Sequence, residues 1–231
     1  NTLVGGYSNE ISGTFAFLGA GSSNLVSGST AGVGWGNSNV CSGERAGVVC
    51  GTSNTASDKW TFIGGGTLNT ASQDNAAICG GRDNTSTNYG TFVGGGYNND
   101  ATTSHASICG GELNVASGDG SHIGGGHSNA ASATDACIPG GLSNTASGTT
   151  SFVGCGLSNQ ATNTYSTVVG GWINVASGER AFIGSGYNNL SSGLNSSVVG
   201  GNSNTASSTG AFVGGGYTND TGSGGLYNAI V

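Results

Sequence analysis

Residues 174–188 read NVASGERAFIGSGYN, and the next residue, Asn189, opens a second copy of the same unit. A glycine stands three residues before each such asparagine, and Leu, Val or Ile stands three residues before that glycine. An insertion-free repeat of this kind predicts a solenoid, because each coil must stack on the last one in the same shape. The asparagine recurs at one constant interval, at Asn9, Asn24, Asn39, Asn54, Asn69, Asn84, Asn99, Asn114, Asn129, Asn144, Asn159, Asn174, Asn189, Asn204 and Asn219.

Two short stretches of each unit have the two-residue periodicity of β-strands. In one stretch Ala181 and Ile183 would face inward with Phe182 outward, and in the other Asn144 and Ala146 would face inward. Helical and heptad periodicities are absent. The sequence therefore predicts an all-β fold, a narrow parallel β-solenoid of fifteen 15-residue coils and about 70 Å in length at ~4.8 Å a coil. We expect a single solenoid domain over 1–226 and a C-terminal tail or weak cap over 227–231.

The asparagine column has a structural interpretation. Inward asparagines at a turn can stack into a ladder of amide hydrogen bonds, which satisfies polar groups that the coil buries. We therefore expect all fifteen asparagines to be architectural rather than to form a binding site.

The composition excludes several classes of function. The chain has 231 residues, of which 48 are glycine, with four basic residues against eleven acidic ones. Four basic residues cannot neutralise a nucleic-acid backbone, so nucleic acid is not an expected partner. No apolar run approaches the ~20 residues that span a bilayer, so membrane insertion is not expected. The histidines His105, His122 and His127 face no column of carboxylates and no catalytic motif occurs, so we expect no enzyme, metal or cofactor.

One outward column alternates between large and small residues. Phenylalanine recurs every second coil with glycine two residues later, and the intervening coils carry a small residue followed by Cys, Pro or Val. The repeat of this face is thus a module of two coils. Such an exposed apolar strip predicts a self-association interface, although each ring could instead fold over a neighbouring small residue. The predicted interface consists of Phe62, Phe92, His122, Phe152, Phe182, Phe212, Cys79, Cys109, Pro139, Val169 and Val199.

The six cysteines are not placed for disulfides within the chain. Cys79 and Cys109 share a column but lie two coils apart, about 9.6 Å. Cys137 and Cys155 lie on adjacent coils but in different columns, whereas a disulfide needs Cα atoms about 5.5 Å apart. We therefore expect the cysteines of the predicted interface to be small apolar fillers or bridges between chains.

The repeat resembles that of a known group of proteins. Runs such as Asn174-Val175-Ala176-Ser177-Gly178, followed by Ala181-Phe182-Ile183-Gly184, are similar to the head repeats of YadA-type trimeric autotransporter adhesins over residues 2–226. That resemblance implies a left-handed β-roll, an extracellular or cell-surface location, and a surface or glycan ligand. The exposed apolar strip separately predicts that the chain's partner is itself, in a homo-oligomer or filament. The asparagine-hydrophobic-glycine pattern also resembles ryegrass-type ice-binding rolls.

Three functions follow from these observations. The first is an extracellular structural or adhesive rod that self-associates laterally through its Phe/Gly face and end to end into a fibre. The alternative is an ice-binding solenoid that uses a Ser/Thr-bearing face, whose threonine file is irregular beyond Thr55, Thr70 and Thr85. The third is a carbohydrate-binding solenoid with Trp60, Trp172 and Tyr97 as stacking platforms.

Overall fold

The computed structural model describes residues 1–222 and 224–231. The chain forms two compact units, Asn1–Leu113 and Asn114–Val231. The described residues of both units form strands and turns without a helix, and so provide no helix that could cross a membrane. Each unit is a parallel β-solenoid with two sheets. The predicted fold class, with about fifteen coils, is confirmed for the described residues, whereas the domain boundaries and the handedness stay predictions.

In the first unit, neighbouring strands pair in parallel with a register of one whole repeat, as Thr70 does with Thr85. The described strands of its first sheet are β1 (Thr2–Leu3), β3 (Phe17–Ser22), β5 (Gly32–Asn37), β7 (Gly47–Val48), β9 (Phe62–Ile63), β11 (Ala77–Ile78), β13 (Phe92–Val93) and β15 (Ser107–Ile108). Those of its second sheet are β2 (Glu10–Ile11), β4 (Leu25–Val26), β6 (Val40–Cys41), β8 (Thr55–Ala56), β10 (Thr70–Ala71), β12 (Thr85–Ser86) and β14 (Asp100–Ala101).

The second unit repeats this arrangement. The described strands of its first sheet are β17 (His122–Ile123), β19 (Cys137–Ile138), β21 (Phe152–Val153), β23 (Thr167–Val168), β25 (Phe182–Ile183), β27 (Ser197–Val198), β29 (Phe212–Val213) and β30 (Ala229–Ile230). Those of its second sheet are β16 (Val115–Ala116), β18 (Ala130–Ala131), β20 (Thr145–Ala146), β22 (Gln160–Ala161), β24 (Val175–Ala176), β26 (Leu190–Ser191) and β28 (Thr205–Ala206). The tail strand β30 pairs with β29 with Ala229 opposite Phe212, so the tail extends the first sheet.

The interior of each coil is narrow and filled mostly by small side chains. In one coil Asn174, Ala176, Ala181 and Ile183 are all buried. Where a hydroxyl enters this interior, a second one can satisfy it, since Ser191 Oγ lies 2.7 Å from Ser196 Oγ. Ser86 Oγ and Thr91 Oγ1 form a similar pair at 2.8 Å.

The predicted asparagine ladder is confirmed within each unit. The backbone N–H and the side-chain Nδ2 of Asn69 both donate to Asn54 Oδ1, at 3.0 and 3.1 Å. The same Nδ2 also donates to the carbonyl oxygens of Gly65 and Gly81, at 3.0 and 2.9 Å. Asn69 Oδ1 in turn accepts from Asn84. The buried side-chain amide of Asn69 thus connects its own coil to both the preceding and the following coil.

The chain turns at three left-handed residues in a typical coil, such as Gly141 (φ +102), Ser143 (φ 56) and Thr150 (φ 54). Ser143 and Thr150 are exposed, so their side chains extend into solvent. The glycine is required for a second reason, because a β-carbon on Gly141 would approach Asn144 Nδ2 and the carbonyl oxygen of Gly156. The sequence predicted turns at glycine but not the left-handed conformation of the two non-glycine residues.

Candidate functional site

The apolar face is the outward side of the first sheet in each unit, formed by the residues that flank each buried Leu, Val or Ile. In the first unit it contains the predicted residues Phe62, Cys79, Phe92 and Cys109, all of which are exposed. In the second unit Pro139, Val169, Phe182, Val199 and Phe212 are exposed, whereas His122 and Phe152 are half-buried. In-register pairing aligns these residues in files along each unit. Their role in association stays a prediction.

The structure explains why phenylalanine and glycine share a coil on this face. Cε1 of Phe152 lies 3.2 Å from the point that a β-carbon on Gly154 would occupy, and Phe182 is related in the same way to Gly184, at 3.6 Å. A β-carbon on Gly154 would also collide with the carbonyl oxygen of Val169 in the next coil. The sequence suggested that these glycines were gaps beside the rings. In these coils of the structure, the ring leans over its own glycine, so the surface there is smoother than a row of knobs and gaps.

Charge is excluded from the apolar face. The described chain carries 15 charged residues, 4 basic and 11 acidic, and none of them lies on this side of the first sheet. They lie at the corners and on the second sheet, at Glu10, Glu44, Arg45, Asp58, Lys59, Asp74, Arg82, Asp83, Asp100, Glu112, Asp119, Asp135, Glu179, Arg180 and Asp220. This segregation is also visible in the sequence once residues are sorted by their position in the coil.

The arginines are neutralised locally at the corners. Each guanidinium lies beside an acidic side chain, at N–O distances of 3.0 to 3.5 Å, and over an aromatic ring of a neighbouring coil. The three stacked pairs are Arg45 over Trp60 at 5.8 Å, Arg82 over Tyr97 at 5.6 Å and Arg180 over Tyr165 at 5.8 Å. Two of the predicted stacking platforms, Trp60 and Tyr97, therefore already have a guanidinium partner within the chain.

All six cysteines in the described chain are free thiols, as expected from their spacing. Cys41 is buried in the core, and burial raises its pKa to about 11. Burial also raises the pKa of Cys137. Because the thiolate is the reactive form, burial and the raised pKa both lower the reactivity of Cys41 at neutral pH. Cys79 and Cys109 are exposed on the apolar face and are open to reagents in solution.

The hydroxyl face is the outward side of the second sheet. Thr55, Thr70 and Thr85 lie in register on three successive coils of the first unit. The residues two positions later are also hydroxylated, at Ser57, Ser72 and Thr87. Within the described chain, none of these six hydroxyls makes a hydrogen bond to another protein group. They are therefore available to bind water or a ligand.

The described residues show no group of three or more metal-binding side chains and enclose no pocket. His122 lies on the apolar face, and His127 lies at the corner between the sheets. The exposed chemistry of the chain is thus carried by its flat faces and corners. The predictions that it is not an enzyme and binds no cofactor stay predictions.

Comparison with known proteins adds no family assignment. No protein-family model matches the chain, and no curated protein matches it significantly. The resemblance to YadA-type heads and ryegrass-type rolls therefore rests on the repeat pattern. The structure supports the coarser statement that the chain is a parallel β-solenoid repeat protein.

Proposed function

We propose that this protein is an extracellular structural or adhesive β-solenoid that associates laterally with a second copy of itself through the apolar face. The observation that carries the proposal is the exclusion of every charged residue from a face that exposes phenylalanine and valine. Phe62, for example, is 43% exposed and Val199 is 48% exposed. The location is inferred from the resemblance to adhesin heads.

A second copy of the chain suits this face better than a charged partner. Each copy carries a net charge of −7, so contact through most other surfaces would bring like charges together. The apolar face brings no charge of its own, and burial of its exposed rings removes apolar area from water at about 25 cal/mol per Å². Pairing through this face would leave the charged corners at the solvated rim.

We expect the wild-type chain to sediment as a dimer or larger species over a concentration series, rather than at its monomer mass of 22.2 kDa. A variant with Val169→Ser, Phe182→Ser and Val199→Ser should associate about tenfold or more weakly, because it removes exposed apolar groups at the centre of the second unit's face. Analytical ultracentrifugation measures both species, and electron micrographs of the same samples show whether fibres form.

A matched control changes the opposite face. Val175→Ser with Leu190→Ser removes two apolar side chains from the outward side of β24 and β26, and we expect unchanged association. Circular dichroism verifies that both variants remain folded. A wild-type chain that stays monomeric at the highest concentration, or equal weakening by the control, contradicts the proposal.

The second candidate function is ice binding through the hydroxyl face. It is favoured by the six hydroxyls of β8, β10, β12 and the residues that follow them, none of which has a protein partner among the described residues. We expect the wild type to inhibit ice recrystallisation and Thr70→Arg to abolish that inhibition, because a long charged side chain disrupts the centre of the flat file. Thr145→Arg is the control and should leave inhibition unchanged. Its neighbours in the column, Ala130 and Gln160, carry no hydroxyl, so Thr145 does not belong to a regular file of hydroxyls. Wild-type protein without any effect on ice growth rules out this function.

A further inference from the structure

One corner of the second unit carries a file of large apolar side chains. Leu142, Leu157, Trp172 and Tyr187 follow the left-handed glycine in four successive coils and pair in parallel from coil to coil. In-register pairing spaces their backbones by about 4.8 Å. The ring centroids of Trp172 and Tyr187 lie 4.9 Å apart with their planes tilted by 60°. We call these four residues the aromatic corner.

Three exposed aromatic residues, Trp60, Tyr97 and Tyr165, lie beneath a guanidinium, whereas the aromatic corner has no such partner among the described residues. Trp172 and Trp60 are both 48% exposed, but Trp60 lies beneath the guanidinium of Arg45. Among the described residues, no guanidinium lies over Trp172 or Tyr187. Their exposed surface is therefore available to a ligand.

The residue beside Trp172 is strained. Ile173 has a φ of 56 and is exposed. A β-branched residue in the left-handed region is a genuine outlier, and the conformation costs about 1–2 kcal/mol for L-residues. Serine or asparagine fills this position in most other coils. The left-handed turn itself recurs in other coils, as at Ser143, so the distinctive feature here is an exposed apolar, β-branched side chain beside an exposed tryptophan.

Neutral hydrogen-bonding groups flank the rings. Asn188 Nδ2 donates to Ser203 Oγ at 3.3 Å, and Ser203 Oγ donates to Asn202 Oδ1 at 2.7 Å. These bonds orient both amides. Within the described chain, Asn188 Oδ1 remains as an acceptor and Asn202 Nδ2 as a donor without a protein partner. Asn202 lies next to Tyr187 in the same file.

We propose that the aromatic corner, with Asn188 and Asn202, binds a neutral carbohydrate. A pyranose ring has an apolar C–H side that can lie against Trp172, and its hydroxyl groups both donate and accept hydrogen bonds, as the two free amide positions require. No charged residue occupies this corner in the second unit, which disfavours an ionic ligand. The four residues lie in one file from coil to coil, so the site fits an extended saccharide lying along that file. This proposal is independent of lateral association.

The test is calorimetric titration of the full chain with cellotetraose, chitotetraose, mannotetraose and isomaltotetraose. We expect at least one of these neutral tetrasaccharides to bind. Trp172→Ala should weaken that binding about tenfold or more, because it removes the stacking surface. Asn202→Ala should weaken it about fivefold through loss of one hydrogen bond. Trp60→Ala is the matched control, since the two tryptophans are equally exposed, and should leave binding unchanged.

Three outcomes overturn the proposal. The first is that none of the four saccharides binds the wild-type chain. The second is that Trp60→Ala weakens binding as much as Trp172→Ala in chains that circular dichroism shows to be folded. The third is that phosphatidylcholine vesicles bind through Trp172 while the saccharides do not, which would assign the corner to a lipid surface.

Discussion

Replacement of Asn174 by alanine is expected to lower the free energy of unfolding by about 3–5 kcal/mol. Asn174 Nδ2 donates to Asn159 Oδ1 and to the carbonyl oxygens of Gly170 and Gly186, and Asn174 Oδ1 accepts from Asn189. Alanine would leave the buried Asn189 backbone N–H and the Gly170 carbonyl without these partners. Chemical denaturation followed by circular dichroism measures the loss. An aspartate at the same position would add the cost of a buried charge.

The control for this prediction lies in the same column. Asn219 Nδ2 donates to the Gly215 carbonyl, and the backbone N–H of Asn219 donates to Asn204 Oδ1, a bond that a side-chain replacement preserves. Asn219→Ala should therefore cost no more than about 1 kcal/mol. Equal losses for Asn174→Ala and Asn219→Ala would show that the ladder does not stabilise the coils through its buried amides.

Gly141→Ala is expected to destabilise the second unit by about 3–5 kcal/mol, the sum of a left-handed backbone penalty and a steric clash. Gly141 has a φ of +102, and its β-carbon would lie 2.5 Å from the Gly156 carbonyl oxygen and 2.9 Å from the Gly156 nitrogen. Both atoms belong to the backbone of the next coil, so relief requires the coils to separate. Thermal and denaturant unfolding measure the effect.

The neighbouring glycine provides a matched control. A β-carbon on Gly140 would meet no atom within 4 Å. Gly140→Ala should therefore be neutral, or stabilising by up to about 1 kcal/mol, because alanine restricts the unfolded chain. If Gly141→Ala and Gly140→Ala unfolded at the same denaturant concentration, neither the positive φ of Gly141 nor its lack of a side chain would contribute to stability.

The sequence was sufficient to predict the fold because the repeat constrains every coil in the same way. Asn174, Ala176, Ala181 and Ile183 alternate with outward residues, and this alternation fixes which side chains are buried. The insertion-free repeat also fixes the register, because a slip of one residue would turn Ile183 outward. The ladder follows from the same reasoning, since an inward amide must find partners in adjacent coils.

Details of the surface were less accessible from the sequence. Whether the Phe152 ring projects into solvent or lies over Gly154 depends on backbone geometry that periodicity does not specify. The pairing of Arg45 with Trp60 depends on which corner positions are adjacent, and the strain at Ile173 depends on a φ angle. The sequence therefore predicted which residues face outward at the candidate site. It did not predict the orientations and contacts of their side chains.

The in-register ladder has a consequence for how such a chain can vary. Because each interior coil presents an inward asparagine, small residues and an aliphatic residue to its neighbours, the cores of different coils are nearly equivalent. Loss or duplication of one whole repeat would keep every inward position in phase, whereas loss of a single residue would disrupt the stacking of all coils that follow. The length of a unit is thus free to change in whole coils, and the larger differences between coils lie in their outward side chains.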